Sequence, residues 1–271
     1  MMKSFSKDKR LLEYGLNESY SNIFCFSTTR HGGCSEGNYA SFNCNWYCGD
    51  NQQNVDNNCE TLRGILPIQP ERLIIPHQVH QTKVFNVDLQ FLEASREEQQ
   101  SLLEGVDALM TNLPRQCLCI STADCIPVVL YDPVHQAIAV VHAGWRGTVA
   151  CIVRRTIEAM YTAFCTLPSD IHAVVGPGIS LESFEVGDEV YAAFSEAGFD
   201  MERISHRYAK WHIDLCEANR LEMVDAGVPA AHIEMSGICT YRECDDFFSA
   251  RRLGIKSGRI ITGVILREKD L

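Results

Sequence analysis

A chain of 271 residues with 46% hydrophobic composition is long enough to bury a sizeable core. Its 24 Lys and Arg against 35 Asp and Glu leave a formal charge of −11, which argues against nucleic acid as a main partner because a phosphate backbone would be repelled. The N-terminal MMKSFSKDKRLLEYGL lacks an apolar core of signal-peptide length, and no uncharged apolar run is long enough to span a bilayer, so a soluble, cytoplasmic protein without membrane association is expected.

Residues 1–20 are polar with no clear period and read as a loosely attached lead-in; residues 21–271 read as one domain. The alternation of SNIFCFSTT predicts the first strand. RHGGCSEGNYASFNCNWYCGDNQQ has the Gly, Asn and Ser content of a long ordered loop, a candidate wall of a site. RLIIPHQVH, KVFNVD, DALMTN, QCLCIST, IPVVLYD and QAIAVVHA predict six strands, the last two joined by a turn at DPVHQ. IPVVLY and AIAVV are nearly continuous apolar runs, as expected of interior strands buried on both faces.

The spacing of Val149, Ile152, Val153, Ile157 and Met160 predicts one helix over GTVACIVRRTIEAMYTAFC. Strand IHAVV follows, then helices in GDEVYAAFSEAG and DLCEANRLEMVDAG with Gly198 and Gly227 placed to end them, then strands HIEMS and GRIITGVIL. Strands and helices interleave throughout, which predicts an α/β (mixed α+β) fold, a three-layer α-β-α sandwich with a mixed sheet.

The thirteen cysteines are irregularly spaced and include no CxxC pair. Most are therefore expected to be reduced thiols serving as small core residues, and the pairs at Cys117 and Cys119, Cys44 and Cys48, and Cys239 and Cys244 to be structural. Cys125 and His142 stand apart. Folding the chain at residues 133–135 sets Cys125 opposite roughly His142, at the end of a sheet where ligands gather. A thiolate beside an imidazole suits Zn²⁺, whose catalytic sites take three protein ligands and leave a position for water or substrate. PHQVHQ offers His77 and His80 as the third ligand. His80 is favoured because polar loop residues follow it, whereas His77 also fits a structural histidine.

Asp124 is placed to orient a ligand imidazole or hold a proton, or else it is a residue of the turn that starts the strand. In HAGWRGT, glycines loosen the backbone before a helix, and Arg146 offers a planar, charged partner for phosphate.

HQVHQ, STADCIPVVLYD, HAGWRGT, GPGISLESFEVGDEV and DLCEANRLEMVDAGV…CTYRECDDFFSARR…SGR together resemble, in order and across nearly the whole chain, the YfiH/laccase-domain family. Its members have been named polyphenol oxidase, peptidoglycan editing factor and purine nucleoside phosphorylase. The resemblance implies a metal held by His80, Cys125 and His142, and a sandwich of the cytotoxic-necrotizing-factor/YfiH-like type. It also implies phosphorolysis of adenosine, inosine, guanosine and methylthioadenosine, and deamination of adenosine. The partners it implies are purine nucleosides and phosphate, with no obligatory protein partner. Gln81 departs from the glycine that usually follows QVH, and Ser183 from a cysteine often found before the aromatic residue, which bears on substrate preference.

The zinc deaminase signature HxE…PCxxC is absent. Rival readings use the same residues. Cys125 with His142 as base and Asp124 as orienting acid would make a cysteine hydrolase or amidase acting on a peptidoglycan precursor. Nine histidines with no HxH motif argue against a multicopper centre, although one Cu²⁺ at the same triad would support slow phenol oxidation. A structural metal in a binding module would need a fourth protein ligand.

Overall fold

The computed structural model describes residues 4–268. In chain order its strands are β1 (Ser4–Phe5), β2 (Leu11–Glu13), β3 (Ile23–Thr28), β4 (Arg72–Ile74), β5 (Val84–Asn86), β6 (Ala108–Thr111), β7 (Gln116–Thr122) and β8 (Ile126–Asp132). They continue as β9 (Ala137–Ala143), β10 (His172–Val175), β11 (Glu185–Val186), β12 (Ser205–Arg207), β13 (Trp211–Ile213), β14 (Ile233–Met235) and β15 (Ile260–Leu266). Two six-stranded sheets form, in the orders β1-β2-β3-β15-β7-β4 and β14-β10-β8-β9-β6-β5, with β11-β13-β12 as a small third. Both large sheets are mixed, since β4 runs parallel to β7, β5 to β6 and β10 to β14 while their other pairs are antiparallel.

The α/β class with mixed sheets is as expected, but the layering corrects the three-layer expectation. Leu118, Ile120 and Val264 of one sheet pack against Leu109, Val129, Ile138 and Val140 of the other. The outer face of the first sheet is covered by the Gln52–Ile65 helix through Val55, Cys59 and Leu62. The outer face of the second is covered by the Ile152–Phe164 and Leu215–Asp225 helices through Ile157, Met160, Ala218 and Leu221. The order is helix, sheet, sheet, helix. A strand buried on both faces reads the same whether a helix or another sheet covers it, so periodicity could not separate three layers from four.

Residues 4–20 correct the lead-in reading. β1 and β2 extend the first sheet, and Leu11, Leu12, Tyr14 and Leu16 are buried. Each fully buried leucine contributes about 2 kcal/mol of hydrophobic stabilisation, so this segment is part of the core. The helix at Gln52–Ile65 also lies where the sequence pattern predicts no element. Its start is set by Asn51, whose side chain accepts from the N–H groups of Gln53 and Asn54.

The helix expected over residues 147–165 is two helices, Trp145–Val149 and Ile152–Phe164, broken at Cys151 with φ of 58°. The second begins without a side-chain cap of its own. Glu222, from the neighbouring Leu215–Asp225 helix, supplies the acceptor instead, taking the N–H of Arg154 at 2.6 Å. Glycines end two helices as expected, with φ of 85° at Gly198 and 101° at Gly227. All thirteen cysteines are free; six are buried, so a core role accounts for fewer than half.

Candidate active site

β8 and β9 are central, fully buried strands of the second sheet, and their register decides where Cys125 and His142 fall. Pro127 pairs with His142 and Asp132 with Ala137. Cys125 therefore lies across from Gly144, two residues beyond the expected partner, because the turn takes four residues, 133–136, with Gln136 at φ of 53°. The offset still leaves both side chains at one end of the sheet. There the ligand atoms of His80, Cys125 and His142 all lie within 4.8 Å of one another. His77 lies apart. It bonds Glu104 at 2.7 Å and stacks on Tyr47.

Of the strand expected over 72–80, only Arg72–Ile74 forms; the rest is a loop carrying His80 outward to the site. His80 has φ of 62°, a strained conformation for a residue with a Cβ. Asp107 holds it there. This fully buried carboxylate accepts from the N–H of His80 at 3.0 Å and of Gln81 at 2.7 Å, and from Nδ1 of His142 at 2.7 Å. One side chain thus fixes a strained backbone and an imidazole together, leaving Nε2 of His142 for a ligand. Burial pushes the Asp107 carboxyl up, but His142 and the two N–H groups outweigh it and hold it below its ordinary value.

In the sequence Asp107 reads only as the first residue of the strand DALMTN. Its sequence signal is an acid between Val106 and Ala108, both fully buried, where an unpaired charge would be prohibitive.

Asp124 occupies a different position from the one expected of an imidazole orienter. At φ of 86° it turns its carboxylate away, accepting from the Thr240 hydroxyl at 2.7 Å and the Arg251 N–H at 2.6 Å. It anchors the 238–253 segment beside Cys125. The 30–51 loop is tied in on another side, where Asn45 donates to the Ser121 hydroxyl, and Ser121 donates through its N–H and its hydroxyl to Gln78 Oε1. Gly144 completes the lining: a Cβ there would stand 3.0 Å from Cys125 Sγ and 3.1 Å from His80 Cδ2. Arg146 is exposed, its guanidinium 4.3 Å from the Trp145 ring centroid. The helix it belongs to has only five residues, so any attraction for an anion there rests on Arg146 more than on a helix dipole.

The electrostatics suit a soft cation. Burial alone raises the Cys125 thiol, yet the imidazoles of His142 and His80 outweigh it and bring it down to about 6. Burial lowers His142, but Cys125 and Asp107 outweigh that and lift it to about 9. Each partner thus favours the charged form of the other. One sulfur and two nitrogens converging from three segments, one imidazole already oriented, fit a divalent metal with a position left open.

The profile of the family described as "Multi-copper polyphenol oxidoreductase laccase" matches residues 24–267. The chain belongs to that family. A protein of Bacteroides thetaiotaomicron named "Purine nucleoside phosphorylase" is 54% identical over 98% of this chain and 100% of its own length. "Adenosine deaminase RL5", from an unknown prokaryotic organism, is 42% identical over 91% of this chain and 95% of its own. The crystal structure of YlmD from Geobacillus stearothermophilus superposes with a TM-score of 0.90 at 31% identity, covering 98% of this chain and 100% of that one. The laccase-domain departures noted in the sequence sit quietly in the fold. The left-handed residue is His80 and not Gln81, so no glycine is required at 81, and Ser183 accepts from Cys239 Sγ at 3.5 Å.

Proposed function

We propose that the chain is a metal-dependent purine nucleoside phosphorylase with adenosine deaminase side activity. The single observation that supports this is the convergence of the ligand atoms of His80, Cys125 and His142 to within 4.8 Å of one another, in a chain 54% identical to a protein of the first name and 42% to one of the second. His80, Cys125 and His142 would hold Zn²⁺, and Cu²⁺ suits the same donors. When bound, the ion supplies Lewis-acid polarisation of an oxygen or nitrogen of the reacting molecules.

The chain's own residues do the rest. Asp107 keeps Nδ1 of His142 protonated and the ring fixed, so that no reorganisation is needed during turnover. Gly144 keeps a side chain off the donors, since a Cβ there would stand 3.0 Å from Cys125 Sγ. Arg146, held against Trp145, pairs with phosphate. In phosphorolysis a phosphate oxygen bonds to ribose C1′ as the bond from C1′ to the purine nitrogen breaks, giving free base and ribose 1-phosphate. In deamination a water oxygen adds at purine C6 and ammonia leaves.

The test is zinc-loaded protein incubated with adenosine, with and without phosphate, following adenine, inosine and ribose 1-phosphate by chromatography, with His142→Ala as control. Adenine and ribose 1-phosphate that require both phosphate and His142 are expected. No turnover of adenosine, inosine or guanosine would overturn the reading.

A second reading is favoured by one observation: Asp107, His142 and Cys125 line up as acid, imidazole and thiolate, the order of a cysteine hydrolase triad. It takes Asp107 in the role first considered for Asp124. Inactivation of metal-free protein by a thiol alkylator, with activity on an amino-acyl cell-wall precursor, would support it. Activity that rises with metal loading would reject it.

A further inference from the structure

The end of the second sheet away from Cys125 holds two histidines face to face. His172 opens β10 opposite Tyr131 of β8, and His232 ends the short turn that leads into β14. Their rings stack with centroids 4.0 Å apart and planes 14° from parallel. Each is also held from outside the stack. His232 Nδ1 donates to the Ile171 carbonyl at 3.2 Å, and His172 Nε2 shares a hydrogen bond of 2.8 Å with the Tyr20 hydroxyl, whose ring meets His172 edge-on. The strand that the stack secures has few other attachments. β14 is the outermost strand of its sheet, three half-buried residues paired with β10 alone, and an edge of that length opens readily.

The surroundings supply no counter-charge. Among the described residues the histidines in ion pairs are His31, His77, His135 and His142, so neither stacked ring has a carboxylate partner. Tyr20 and, behind it, Tyr131 face His172 with neutral hydroxyls. Glu234 of β14 turns its carboxylate to the N–H groups of Gly15 and Leu16, and Asp170, from the connection before β10, lies with Asp132 and His135. The Leu215–Asp225 helix meets β10 on its other face, through Ala173 and Val175. Neutral imidazoles stack favourably at this spacing, whereas two imidazoliums 4.0 Å apart repel each other. Burial first, and His232 second, hold the His172 ring below its ordinary 6.5.

We propose that the stacked His172 and His232 are an acid-released latch that holds edge strand β14 on its sheet at neutral pH. A histidine held below its ordinary value in the folded chain contributes stability that is fully present above pH 6.5 and is lost as pH falls through the folded-state value. The latch therefore opens on the acid side of 6.5. Opening breaks the parallel ladder between β10 and β14 and exposes the row of N–H and C=O groups along β10 that β14 covers. His80, Cys125 and His142, at the other end of the sheet, keep their places.

The experiment is hydrogen exchange of the full chain at about pH 7.5 and about pH 5.5, corrected for the intrinsic exchange rate at each and read at the amides of Ile233–Met235. Protection there should fall about tenfold at the lower pH, the effect of one unit of pKa difference, while the amides of β8 and β9 keep theirs. His232→Gln removes the second ring and should leave β14 equally protected at both pH values. His172→Gln, which leaves the Tyr20 hydroxyl a partner, serves as the second variant if His232→Gln misfolds, and should show the same flat response. A proton NMR titration gives an independent reading, in which the His172 midpoint should rise when His232 is replaced. Equal β14 protection at the two pH values in the unaltered protein, or the tenfold fall kept by the variants, overturns the proposal.

Discussion

Asp107 Oδ1 stands 2.7 Å from Nδ1 of His142, with both side chains buried. Because the same carboxylate also takes the N–H groups of His80 and Gln81, it couples two candidate donor positions, His80 and His142, that lie on separate segments. Asp107→Asn keeps the shape but offers one acceptor oxygen to three donors and turns an N–H toward one of them. The metal affinity should fall 10- to 100-fold, roughly the cost of losing a partner of a ligand imidazole, and the fold should lose about 1–3 kcal/mol. Competition against a chromogenic chelator measures the first and chemical denaturation the second. Unchanged metal affinity would remove Asp107 from the site.

Gly144 makes the opposite case, a residue whose importance is the atom it lacks. Its φ of −71° and ψ of 166° are open to any residue, so Gly144→Ala has no backbone penalty. The new methyl would still sit 3.0 Å from Cys125 Sγ and 3.1 Å from His80 Cδ2. The metal-free variant should melt within about 2 °C of the parent, a shift worth under about 1 kcal/mol, while binding metal at least tenfold more weakly. Calorimetry with and without Zn²⁺ separates the two effects. Equal zinc affinity would mean the site has more room than its lining indicates.

That Cys125 and His142 come together was legible in sequence because a thiol and an imidazole at the ends of otherwise apolar strands have no packing reason to be there, and His80 joins them from a loop signalled by the polar residues after it. Arg146 and Asp124 were visible as polar residues beside them, but their directions were not. Backbone dihedrals decide these, and the left-handed turn at Asp124 sends its carboxylate to Thr240 and Arg251. Asp107 was missed because its three partners come from positions 80, 81 and 142, which only the folded chain brings together. The break at Cys151 was equally hidden, since apolar spacing continues through it. The second sheet escaped for the reason that β7 and β15 are buried on both faces, as β8 and β9 are.

Glu222 links stability to pH. Burial raises its carboxyl to about 7, and the Arg154 and Val153 N–H groups only partly offset this. A folded-state value above the ordinary 4.5 means that folding takes up a proton between about pH 4.5 and 7. The contribution of this group is therefore fully present below pH 4.5 and lost as pH rises through about 7, by at most on the order of 3 kcal/mol. Glu222→Gln keeps an acceptor for Arg154 N–H without the charge. It should be more stable than the parent at pH 8 and equal to it near pH 4.5, as followed by urea denaturation across that range. A parent and variant that differ by the same amount at both pH values would show that the carboxyl titrates normally.

Asp124 and Arg146 separate the metal from the walls around it. Asp124 accepts from Thr240 and from the Arg251 N–H, so Asp124→Ala frees the 238–253 segment and leaves two donors unpaired, at a cost of about 1–3 kcal/mol. Alanine also tolerates φ of 86° less well than aspartate does. Neither loss reaches His80, Cys125 or His142, so zinc content should stay at the parent value while KM for the nucleoside rises about tenfold, the scale of one lost wall contact. Arg146→Ala should instead raise KM for phosphate by about tenfold and leave KM for the nucleoside and the zinc content alone, since it removes one charge-assisted contact. Steady-state kinetics with each substrate varied in turn, alongside metal counting, distinguishes the two patterns. If Asp124→Ala released the metal and Arg146→Ala left phosphate KM unchanged, Asp124 would belong with Asp107 as a positioning residue for the donors, and the phosphate would have to be held by a different group.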